Sequence, residues 1–264
     1  MVVKEYVCDA GKKSKVVIED FSVEIEKDST ILLGLAGIGL IGPIIANTLI
    51  EQVEDMREIG FVTSEYLPPI SVFYSGQLKH PFRIYYSPRY NLIVAICEVP
   101  FEIPSAYNDL AKTINNWALN EDVQAKQVVV FQGIPQRGMI DEFPVYYAAE
   151  EELMSFLEEN GAQMFEKGII IGPESTILNE ALTNKLQGYA LFTPVYQIPT
   201  PEGAASVIEL LNKMYDMDID TSKLLEEGKE IKEQMLDLAE KAQEYRRKQL
   251  TGEESSESYT EYYR

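Results

Sequence analysis

The spacing of apolar positions changes along the chain, and the changes outline its elements. Thr30-Ile31-Leu32-Leu33 runs without a charge up to Gly34, the pattern of a central strand covered on both faces. A glycine-rich stretch follows. Pro43 then stands where the first turn of a helix accepts it, predicting a helix to about Val53. Upstream, Phe21-Ser22-Val23-Glu24-Ile25-Glu26 alternates apolar and polar, which predicts a half-exposed strand. Buried strands are predicted over 59–63, 70–74, 92–97, 128–131, 169–171 and 189–192, and helices over 105–119, 150–159, 175–186 and 201–215. This alternation, with Gly or Pro at most junctions, predicts an α/β body with a parallel or mixed sheet between two helical layers.

The pattern changes after about Asp220. Leu224, Gly228, Ile231, Met235, Leu238, Ala242 and Tyr245 recur in steps of four and three, a heptad seam flanked by Glu and Lys. A helix of this kind buries its stripe either on its own body or against another copy, and Gly228 weakens an autonomous coiled coil. Beyond Gly252 the chain reads Glu-Glu-Ser-Ser-Glu-Ser-Tyr-Thr-Glu-Tyr-Tyr-Arg, with no aliphatic residue, and is expected to be disordered when free. Random-coil scaling gives the segment from Thr251 a reach on the order of 20 Å. The reading is an α/β body over 1–220, a helical extension over 221–250 and an acidic tether over 251–264.

Charge narrows the partners. Of the formal −20, residues 221–264 contribute eight basic and eleven acidic side chains, leaving −17 on the body. Such a surface repels phosphate backbones and anionic lipid, so neither nucleic acid nor membrane is an expected partner. The uncharged run 31–50 is long enough to cross a bilayer. Four glycines and Pro43 break it into strand, turn and helix instead. The N-terminus lacks the basic-then-apolar pattern of a signal peptide. Cys8 and Cys97 have no metal or disulfide spacing, which fits a reducing, cytoplasmic compartment.

Candidate chemistry is sparse. Gly37, Gly39 and Gly42 satisfy G-x-G-x-x-G between a strand and a helix, a pattern that cradles a pyrophosphate or simply permits close packing. Pro43 follows at once, and Glu65 is only loosely placed as a ribose ligand, so packing is the favoured reading. A nucleotide- or nucleoside-binding enzyme using this turn is the alternative. His80 is the sole histidine, too few for a catalytic triad or a histidine metal site. No catalytic residue, cofactor or metal is expected, and Cys97, within Leu92–Cys97, reads as a core residue.

Several segments carry a resemblance. Gly34-Leu35-Ala36-Gly37-Ile38-Gly39-Leu40-Ile41-Gly42 leading to Leu49-Ile50-Glu51-Gln52 is similar to the opening of the proteasome assembly chaperone 2 family. So are the stretch from Gly60 through Glu65 to Pro68-Pro69, Gly172-Pro173, and Pro199-Thr200-Pro201-Glu202-Gly203-Ala204-Ala205. The resemblance implies a three-layer α/β sandwich with a mixed, largely parallel sheet, like nucleoside phosphorylases but without a retained catalytic site. It also gives meaning to Tyr262-Tyr263-Arg264, which matches the hydrophobic–tyrosine–any ending of proteins that dock on the 20S proteasome α-ring. The expectation is an ATP-independent, homo-oligomeric assembly chaperone or gate-opening activator.

Overall fold

The computed structural model describes residues 4–7, 13–20, 22–101 and 103–251, with side chains for all of these except 4–7 and 237–251. In chain order the elements are β1 (Lys4–Val7), β2 (Ser14–Ile18), β3 (Thr30–Leu35), α1 (Ile41–Gln52), β4 (Arg57–Ser64), β5 (Val72–Tyr74), β6 (Gln77–Lys79), β7 (Phe82–Ser87), β8 (Leu92–Cys97), α2 (Pro104–Ala118), β9 (Gln127–Pro135), β10 (Tyr146–Ala149), α3 (Glu151–Glu159), β11 (Gln163–Met164), α4 (Pro173–Asn184), β12 (Gln187–Val195), α5 (Pro201–Tyr215) and α6 (Ser222–Thr251). One ten-stranded sheet runs β1-β2-β4-β7-β8-β3-β9-β12-β10-β11. Its centre, β8-β3-β9-β12, is parallel. The arm β1-β2-β4-β7-β8 is antiparallel.

Successive residues of the central strands face opposite helical layers. Ile31, Leu33 and Val130 meet α2 and α4 through Leu110, Trp117 and Ile177. Leu32, Val129 and Leu191 meet α1, α3 and α5 through Ile45, Leu157 and Ile208. β3 is buried along its whole length, as its unbroken apolar run requires. The fold is thus a three-layer α/β sandwich with a helical C-terminal extension. The apolar run 31–50 divides between β3 and α1 with a short 3-10 turn at Ile38–Leu40 between them. Among the described residues no helix is long and apolar enough to cross a membrane.

Three predicted strands come out differently. Residues 22–26 are bend and coil: Val23 and Ile25 pack on the core edge, so the alternation reflects a draped loop without a strand partner. The 70–74 segment gives β5, which pairs only with β6, and Phe73 and Leu78 point outward. Among the described residues 169–171 find no strand neighbour, and Ile169 is 87% exposed. An apolar run alone does not establish burial; a neighbouring strand must be there to receive it.

The seam of α6 begins on the body. Leu224 and Gly228 are buried, and Ile231 and Met235 half-buried, while Lys232 Nζ donates to the Ile140 carbonyl at 3.3 Å. A Cβ at Gly228 would overlap the Glu202 side chain on α5, so this glycine is what lets the helices meet. Leu238, Ala242 and Tyr245 fall beyond the described side chains. Replacing Gly228 by Leu is expected to lift α6 off α5, at a cost of about 2–3 kcal/mol. Hydrogen exchange over residues 222–236 would check this, with faster exchange there and unchanged protection in β3 and β9.

Candidate functional site

The parallel strands end together, and their carboxyl ends floor a cavity of about 720 Å³. Leu35 closes β3, Cys97 closes β8, and Phe131 and Gln132 come from β9. The turn Ala36–Gly42 forms one wall, and the segment Phe165–Glu174 another. Here β3 leads through α1 towards β4, whereas β9 leads towards β10, so the chain leaves neighbouring strands in opposite directions. In open α/β sheets ligand crevices form at such a point.

The glycines of the turn serve packing. A Cβ on Gly34 would stand 2.6 Å from the Ala46 Cβ, and one on Gly42 would stand 2.7 Å from the Leu35 carbonyl oxygen. Helix α1 therefore lies directly on β3 because neither residue has a side chain. Gly39 takes φ 75° with Val195 against it, a left-handed conformation that glycine adopts without strain. Only Gly37 opens towards the cavity, and there it meets Glu174 Oε1 at 3.9 Å from its would-be Cβ. A carboxylate at that place opposes a pyrophosphate. Glu65 follows β4, which β7 and β8 separate from β3, and it pairs with Lys13 at 3.3 Å. The structure does not bring Glu65 to the turn as a ribose ligand.

Glu174 was not singled out by any sequence motif. Pro173 and Glu174 open α4 after Gly172, whose φ is 106°, and the Glu174 side chain is only 4% exposed. Burial pushes its carboxyl up to about 7, against a lowering hydrogen bond from its own backbone N–H. Cys97 lines the same cavity and is fully buried. Desolvation pushes its thiol up to about 12, which removes it as a nucleophile at neutral pH.

Just past β8 lies the main ion pair of the interior. Arg83 on β7 is 2% exposed and donates through Nη2 to Glu98 Oε2 at 2.9 Å and through Nη1 to the His80 carbonyl at 3.0 Å. Glu98 also accepts from Asn47 Nδ2 at 3.2 Å and from the Tyr74 hydroxyl. Burial alone would raise the Glu98 carboxyl, but these hydrogen bonds and the guanidinium charge hold it below its ordinary value. The network ties the β5–β6 hairpin and α1 to the sheet. His80 stacks on Phe61, centroids 3.5 Å apart. Among the described residues no three His, Cys, Asp or Glu side chains cluster as a metal site. Cys8 and the tripeptide Tyr262-Tyr263-Arg264 lie outside the described residues.

Comparison with known proteins gives this architecture a context. A family model described as PAC2 family matches residues 31–239. The chain is similar to Pyrococcus furiosus PbaA, an archaeal homolog of proteasome-assembly chaperone, with 33% identity, 91% of this chain and 98% of that chain covered, and a TM-score of 0.75. Pyrococcus furiosus PbaB, an archaeal proteasome activator, shares the fold at 18% identity, with 86% and 99% covered and a TM-score of 0.75. An uncharacterized protein of Methanocaldococcus jannaschii is 24% identical over 225 residues, 84% of this chain and 90% of that protein.

Substitutions at the Arg83–Glu98 pair and at Glu174 test the energetics of this region. Glu98→Ala strands the Arg83 guanidinium in the interior and is expected to cost about 3 kcal/mol; an Arg83→Met/Glu98→Leu pair recovers most of it, measured by urea denaturation. For Glu174 the sign is reversed. A carboxyl raised in the folded state stabilises the fold while protonated, and that contribution is lost as pH rises through about 7. Glu174→Gln is therefore expected to be more stable than the parent at about pH 9 by roughly 2–3 kcal/mol. The two midpoints should converge below the ordinary carboxyl range.

Proposed function

The chain belongs to the PAC2 family, and from that premise we propose that it is an ATP-independent proteasome-binding protein that docks its C-terminal tail on the α-ring of the 20S particle. Tyr262, Tyr263 and Arg264 form the docking tip. The two rings fill a pocket between ring subunits, the Tyr263 hydroxyl finds a hydrogen bond there, and the Arg264 carboxylate pairs with a lysine. The observation that carries the reading is the likeness to PbaA across nearly the whole of both chains. It supplies the proteasome as the target for a tail that the sequence ends in.

The body's part is presentation. The first turns of α6 are fastened on α5, and the helix then continues from Met235 to Thr251, about 24 Å at the helical rise. On this reading that length holds the root of the tether clear of the sandwich. A three-residue anchor binds weakly because ordering the tether opposes it. Several tails on one homo-oligomer would restore affinity through effective concentration. No catalytic step or cofactor enters this role, and its setting is the cytoplasm. Aid to ring assembly and opening of the finished particle's gate both use the same docking contact.

Pull-down of the 20S particle by the full chain, by the chain lacking residues 262–264 and by Tyr263→Ala tests the reading. A central aromatic anchor is worth about 2 kcal/mol, so Tyr263→Ala is expected to weaken capture roughly thirtyfold with the thermal midpoint unchanged. Undiminished capture by either variant refutes the tail assignment. Peptidase activity of mature particles saturated with the chain then separates the two roles: stimulation marks an activator, and its absence leaves assembly.

A further inference from the structure

The cavity at the carboxyl ends of β3, β8 and β9 has no part in tail docking, and its lining has a chemistry of its own. Glu174, 96% buried, reaches into it. Lys167, exposed on the rim, is the one basic side chain in the lining, and among the described residues no Lys or Arg forms an ion pair with the Glu174 carboxylate. A carboxyl taken out of water without a counter-charge is costly. Around it stand the rings of Phe101, Tyr107, Phe131, Phe165 and Phe192. The volume of about 720 Å³ lies within the span of small-molecule pockets, about 300–1,000 Å³. An anion would face both Glu174 and a chain of net charge −20. A purely apolar guest would leave the carboxyl stranded.

We propose that this cavity binds a small aromatic organic cation, an amine or amidine, whose N–H groups donate to the Glu174 carboxylate while its ring packs among Phe101, Phe131 and Phe165. The cation supplies a counter-charge directly at the buried Glu174 carboxylate, where a charge-assisted hydrogen bond is stronger than a neutral one. The surrounding ring faces add attraction for the cation. Gly37 is the gate to this space: its backbone is extended, φ −146°, and a Cβ there would meet nothing nearer than Glu174 Oε1 at 3.9 Å. Any side chain at Gly37 would project into the cavity.

Titration calorimetry of the full chain at about pH 8, above the Glu174 titration, with benzamidine, neutral benzamide and anionic benzoate provides the test. Benzamidine is expected to bind in the millimolar range or tighter, benzamide more weakly and benzoate not at all. Glu174→Gln is expected to lose benzamidine affinity by roughly tenfold or more while keeping benzamide. Gly37→Leu, which places a side chain beside the Glu174 carboxylate, is expected to weaken both, with unfolding midpoints showing that each variant folds. Absence of saturable benzamidine binding, equal affinity in Glu174→Gln, or undiminished benzamidine affinity in Gly37→Leu would each overturn the assignment. Because proteasome capture is measured separately, the outcome leaves the tail reading untouched.

Discussion

A close helix-on-strand contact is the one on which the layout of the molecule turns. Helix α1 lies against β3 with Gly42 over the Leu35 backbone and Gly34 under Ala46. No side chain larger than hydrogen fits at either glycine. Because β3 is buried on both faces, its position sets the planes of both helical layers, and α1 pressed onto its end sets where the turn Ala36–Gly42 runs. The cavity exists because that turn is drawn inward against β3 and β9 while the segment before α4 passes at a distance. Glycine-rich chemistry that in other settings serves phosphate here serves approach distance.

The chain is strongly acidic, and a few of its carboxylates are placed inside with distinct consequences. Glu98 is satisfied by Arg83, Asn47 and Tyr74, so its burial converts into cross-links between the β5–β6 hairpin, α1 and the sheet. Glu202 lies beneath Gly228, with Oε2 lacking a hydrogen-bond partner, in the first turn of α5, where the helix dipole favours a negative charge. Glu174 shares that first-turn position on α4 but faces open space. Burial of like groups therefore gives three outcomes: a fastening, a seat for a neighbouring helix, and an unmatched acceptor in a cavity. The partner each carboxylate finds, more than its depth, decides which.

The extension shows how a surface stripe acquires its meaning. A heptad-like seam serves a coiled coil and a docked helix equally well, since both bury one face. Leu224, Gly228 and Ile231 lie on the body because Glu202 and its neighbours on α5 offer a surface that only a glycine can approach. With that half fastened, α6 continues as a helix to Thr251.

Periodicity and punctuation by themselves determined the layered α/β class, the central strands β3, β8, β9 and β12, and the helices α2 to α5. Continuous apolar runs and 3.6-residue spacing are local consequences of being covered on two faces or on one. The family resemblance was legible in the same segments because its glycines and prolines hold close approaches and turns. Only the tertiary structure decided that Val23 and Ile25 drape rather than pair, that Ile169 faces outward, and that Arg83 belongs inside. It alone brought Glu174 to the glycine turn, more than 130 residues away in sequence. The reason is physical: periodicity reports how much of a residue is covered, whereas a neighbouring strand, a counter-charge or an empty space is supplied by distant parts of the chain.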